Sequence, residues 1–122
     1  MHVRRGDLAK GDNPIYGGVT DGYFLRAIEY VKEHFPDKKF VFFSDEPDWV
    51  EQNICSQIDV DYVIRQGHKA WEDLRVLAGC NPLIASQGSF GTVAAKLNPE
   101  ATLIQCDNKY ADRNRKNTIL IP

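Results

Sequence analysis

Sulfur is scarce in this chain, with three cysteines and one methionine among 122 residues. Cys55, Cys80 and Cys106 are odd in number and lack metal-like spacing. They are expected to be small apolar residues of a reducing compartment rather than disulfide partners or metal ligands. An excess of one charge is also missing. Fifteen basic and 17 acidic residues leave a net charge of −2, which argues against nucleic acid or an anionic membrane as the main partner. Any anion site must therefore be local, built by a few aimed groups. No run is long enough to span a bilayer, and no charged-then-apolar leader precedes the first strand. A cytoplasmic location is expected, with membrane association only through parts outside this chain. There is no Walker loop, no Gly-x-Gly-x-x-Gly fingerprint and no His/Cys/Asp cluster with ligand spacing. No metal and no cofactor are expected.

What is present is an ordinary globular composition, 43% hydrophobic and 11% aromatic, enough for one domain with its own core. Met1 occupies what should be an apolar position part-way along a strand, so the chain is expected to be a fragment of a longer protein. Apolar residues then switch between strand runs and helical spacing. A polar loop over residues 8–22 leads to a helix carrying Phe24, Ala27, Ile28, Val31 and Phe35, closed by Pro36. Residues 39–43 form a continuous apolar run, the mark of a strand covered on both faces. Ser44-Asp45-Glu46-Pro47 opens a helix with Trp49, Val50 and Ile54. A strand at 60–64, a helix through Trp71, Leu74 and Leu77, and a strand at 83–85 follow. A helix with Phe90, Val93, Ala94 and Leu97 and a last strand at 102–105 complete the pattern. Residues 111–117 are expected to be charged and mobile, within a polar tail at 111–122 that follows a domain at 1–110. Alternating strands and helices predict an α/β fold, a three-layer Rossmann-like parallel sheet.

In such a sheet ligands bind beyond the carboxyl ends of the strands. Three loops with unusual chemistry fall there, at residues 4–7, 44–46 and 86–91. His2-Val3-Arg4-Arg5-Gly6-Asp7 ends a strand with two guanidinium groups, planar forks that match phosphate oxygens and stay charged. The bland alternative is a structural salt bridge. Gln87-Gly88-Ser89-Phe90-Gly91 opens a helix whose free N–H groups and dipole attract phosphate, with Ser89 as hydroxyl donor or simple cap. Asp73, in the first turn of its helix, either stabilises that helix or accepts two hydrogen bonds from the N1–H and 2-amino edge of guanine.

Together these blocks resemble the H-x-R-R fucosyltransferases, most closely the α-1,2-fucosyltransferases of glycosyltransferase family 11. Residues 2–7 are similar to that family's first motif, and Phe43-Ser44-Asp45-Glu46 with Trp49 to its second. Glu72-Asp73-Leu74, Leu77, Cys80, Ile84-Ala85, Ser89-Phe90, Ala94-Ala95 and Leu97-Asn98 follow its third block. The resemblance implies a GT-B-like enzyme, of which this would be the donor-binding half, the acceptor-binding half lying upstream. It implies metal-independent, inverting transfer of fucose from GDP-fucose to a galactoside or glycan acceptor. Carried onto matching positions, Arg4 and Arg5 would hold the pyrophosphate, with Arg4 the main anchor, and Asp73 would read guanine. Ser89 and the Phe90 amide would bind phosphate, and His2 would support the site. Asp7 and Asp12 are the candidates for general base. Where the family has Asn-Ser-Ser-Phe-Ser-Trp-Trp, residues 87–93 read Gln-Gly-Ser-Phe-Gly-Thr-Val, which leaves the acceptor linkage open.

Overall fold

A computed structural model describes residues 1–4, 21–86, 89–108 and 111–122. Two three-stranded parallel sheets carry the fold. The first has the order β1 (His2–Val3), β2 (Phe40–Ser44), β3 (Tyr62–Arg65). The second has β4 (Leu83–Ile84), β5 (Leu103–Cys106), β6 (Thr118–Ile121). Four α-helices are described: α1 (Asp21–His34), α2 (Pro47–Asn53), α3 (Ala70–Ala78) and α4 (Ser89–Leu97). A short 3₁₀ turn, Cys55–Gln57, follows α2.

The alternation of side chains along the strands decides which helix lies where. Phe40 and Phe42 of β2 enter one apolar cluster with Tyr23, Phe24, Ala27, Ile28 and Val31 of α1 and Val50 of α2. Val41 and Phe43, the residues between and beyond them, enter a second cluster with Leu74 and Leu77 of α3 and Ala94 and Ala95 of α4. The other sheet divides the same way, Ile84 and Ile104 joining the first cluster and Leu83 and Leu103 the second. Helices α1 and α2 therefore cover one side of the strands and α3 and α4 the other. Each large side chain buried this way is worth roughly 1.5–3 kcal/mol. The architecture is α/β and consistent with a Rossmann-like fold. No helix among the described residues is long and apolar enough to cross a membrane.

The C-terminal segment departs from its expectation. Residues 118–121 form β6, paired parallel with β5 in the register Leu103↔Thr118 to Cys106↔Ile121, and Ile121 is buried. Its apolar run is short and follows a charged stretch, which hides it from a periodicity reading. Nor is the charged stretch loose. The Asp112 N–H donates to Gln105 Oε1 at 3.1 Å, and Gln105 Nε2 donates back to the Asp112 carbonyl at 3.0 Å. Arg115 donates through Nη1 to the Ala95 carbonyl (3.1 Å) and through Nη2 to those of Asn98 (3.2 Å) and Ala101 (2.8 Å). These carbonyls lie at and just beyond the negative end of α4, where a guanidinium is favoured by both hydrogen bonding and the helix dipole. Charge in a sequence reads as solvated surface; here it caps a helix.

Candidate functional site

Parallel pairing brings the carboxyl ends of β1, β2 and β3 to one edge, and the ends of β1 and β4 meet there through Ser86. This serine, just past β4, is 7% exposed. Its Oγ accepts the Arg4 N–H at 3.0 Å and lies 3.2 Å from His2 Nδ1. Burial, with the Met1 ammonium adding to it, holds the His2 pKa down to about 4, against the opposing pull of Asp45 and Asp73. The imidazole is thus neutral at pH 7. We assign the Ser86 hydroxyl as donor to Nδ1 and the ring proton to Nε2, since this satisfies both groups.

From the other side, Ser44 Oγ donates to the Val3 carbonyl at 2.7 Å and accepts the Glu46 N–H at 3.0 Å. The peptide before Arg4 and the N–H of Arg4 itself are consequently fixed by two serines from different strands. The Arg4 side chain is exposed on this edge.

Helix α4 starts beside the same point. The Phe90 ring lies against the His2 ring, centroids 4.7 Å apart. A Cβ at Gly91 would come within 2.7 Å of Ala85 Cβ, so only glycine permits this approach of α4 to the end of β4. The N-terminal amides and positive dipole end of a nine-residue helix are brought to the edge where β1 and β4 meet. Asp73 Oδ1 accepts from Arg65 Nε at 2.8 Å, the two side chains 24% and 20% exposed. Asp45 and Asp73 favour the charged form of His2 and Arg4 opposes it, each less strongly than burial does.

The structure brings His2, the Arg4 backbone and Phe90 together around Ser86, and it pairs Asp73 with Arg65. Ser89 begins α4, and its side chain falls outside the described residues, as do Arg5, Asp7 and Asp12. Two partners went unread. The sequence puts Ser86 in this loop without a role, and Arg65 just beyond the strand expected at 60–64. A polar residue following an apolar strand run was the available signal for each. Tyr23 is a third: fully buried, its hydroxyl lies 2.6 Å from the Ala85 carbonyl and 3.2 Å from that of Ile104.

All three cysteines are free thiols, and burial pushes Cys55 up to about 11, so it is no nucleophile near neutral pH. Among the described residues, no three His, Cys, Asp or Glu side chains gather to hold a metal ion.

Arg4 thus follows a strand end held by two serines, beside the amino end of α4. The family model "Glycosyl transferase family 11" matches residues 1–120. The chain belongs to glycosyl transferase family 11. It is 33% identical over 102 residues to human galactoside alpha-(1,2)-fucosyltransferase 1, covering 80% of this chain and 28% of that protein. To the mouse galactoside 2-alpha-L-fucosyltransferase Sec1 it is 32% identical, covering 80% and 27% respectively. The owl monkey (Aotus azarae) galactoside alpha-(1,2)-fucosyltransferase 1 is 35% identical at 80% and 28% coverage. The chain thus spans under a third of the length of these family 11 relatives. No solved structure matches it.

Proposed function

We propose that this chain is the donor-binding half of a GT-B-like α-1,2-fucosyltransferase, a three-layer Rossmann-like domain that takes GDP-fucose. The observation that carries the reading is the Ser44–Arg4–Ser86 clamp beside the amino end of α4. Arg4, with Arg5 beside it in sequence, would hold the pyrophosphate, and the α4 amides with Ser89 and Phe90 would take the remaining oxygens. Fucose leaves GDP with negative charge growing on the β-phosphate. Fixed donors aimed at that charge lower the barrier without reorganising, and this is how a reaction without a metal ion would be driven. The transfer would proceed with inversion to a galactoside or glycan hydroxyl, with Asp7 or Asp12 as the base that removes its proton.

Calorimetric titration of the folded chain with GDP and GDP-fucose in EDTA tests the donor site. Binding in the micromolar range is expected. A folded sample that binds neither nucleotide overturns the proposal. Binding without transfer to a galactoside, by a protein that also contains the acceptor-binding half, would mark a non-catalytic nucleotide module instead.

A further inference from the structure

The Arg65–Asp73 pair is built differently from an ordinary surface salt bridge. Arg65 closes β3 in register with Phe43 of β2, and its guanidinium carbon lies 5.8 Å from the centroid of the buried Phe43 ring. From that seat Nε reaches Asp73 Oδ1 at 2.8 Å. The guanidinium is therefore located by an aromatic ring on one side and a carboxylate on the other, with about three-quarters of each side chain covered. The neighbouring acid is turned elsewhere: Glu72 Oε1 accepts the Lys69 N–H at 3.0 Å and closes the first turn of α3. Asp73 alone is thus left to face the strand edge, and its first-turn position is not its only determinant.

A carboxylate that reads the N1–H and 2-amino donors of guanine must present both oxygens in one plane at a fixed angle. Free rotation about its last torsion would blur that, because sp² side-chain torsions are broad. We infer that Arg65 is a positioning residue that fixes the plane of the Asp73 carboxylate and so sets selectivity for a guanine nucleotide. This rests on the proposed donor site, where Asp73 reads the base. Arg65 touches neither base nor phosphate in this role. Lysine would keep the charge but lose the planar fork and the fit over Phe43.

Titration with GDP, IDP and inorganic pyrophosphate tests the assignment, since IDP lacks only the 2-amino group. The wild-type chain, Arg65→Met, Arg65→Lys and Asp73→Asn are compared. Asp73→Asn is expected to erase the preference for GDP over IDP. Arg65→Met should reduce that preference about tenfold while pyrophosphate binding stays within twofold, and Arg65→Lys should fall between. Equal loss of GDP and pyrophosphate binding in Arg65→Met overturns the positioning role, as does an unchanged preference when Asp73→Asn has lost it. If Asp73→Asn also keeps the preference, the base-reading role of Asp73 fails and the inference with it. Should circular dichroism show Arg65→Met unfolded, Arg65→Lys carries the test, and an unaltered GDP-to-IDP ratio there overturns it.

Discussion

The two ends of α4 use arginine in opposite ways. At the carboxyl end, Arg115 turns its Nη groups inward onto three backbone carbonyls and holds residues 111–117 against the domain. At the amino end, Arg4 has its backbone fixed by Ser44 and Ser86 while its side chain remains exposed. At one end hydrogen bonds hold the guanidinium, and at the other they hold the backbone. In the proposed donor site the same residue type would thus serve stability at one end of α4 and binding at the other. A sequence shows the charge and hides the grip.

Exchanging the two effects should be impossible, and the largest change should come from Arg115. Arg115→Ala is expected to lower stability by about 3 kcal/mol, since three carbonyls lose a charged donor, while GDP affinity per folded molecule stays within twofold. Urea unfolding followed by titration measures both. Arg4→Ala should do the reverse: GDP affinity falls about 30-fold, while the unfolding midpoint moves less than in Arg115→Ala. If Arg4→Ala unfolds the chain, or Arg115→Ala abolishes binding by a folded sample, the contrast between the two ends is wrong.

The hinge of the contrast is His2, whose pKa is depressed to about 4. Above pH 6.5 the imidazole is neutral in folded and unfolded chains alike and costs nothing. As pH falls from 6.5 through 4 the unfolded chain takes up the proton first, so folded stability drops across that window. About 2 kcal/mol is expected after allowance for partial exposure, and His2→Gln should flatten that part of a urea-unfolding profile. A profile as steep in the variant as in the parent would remove His2 from the account. Gly91→Ala should cost about 1–2 kcal/mol, because the added methyl meets Ala85 and pushes α4 away from β4. The smallest effect is expected from Ser86→Ala, about 1 kcal/mol in a thermal melt, with a modest loss of GDP affinity as Arg4 loosens.

The order of strands and helices was legible because β2, with apolar residues on both faces, and α1, with apolar residues at helical intervals, carry unmistakable periods. So was the convergence of residues 2–4 with the start of α4, since parallel strands place all their carboxyl ends together. β6 was not legible, being four residues joined to a charged run that hydrogen bonds pin from Gln105 and α4. The Arg65–Asp73 pair was equally hidden. Eight positions separate the two, and the turn from β3 into α3 brings them to 2.8 Å. What escapes the sequence is contact between polar residues on different elements, because no period announces it.

One consequence follows from where the chain is held on either side of residues 5–20. The Arg4 N–H ends on Ser86, and the Tyr23 hydroxyl ends on Ala85, the residue before it. Strand β1 and helix α1, far apart in the chain, therefore share one anchorage just past β4. Displacing the end of β4 should thus move β1 and α1 together, and the Arg4 backbone with them.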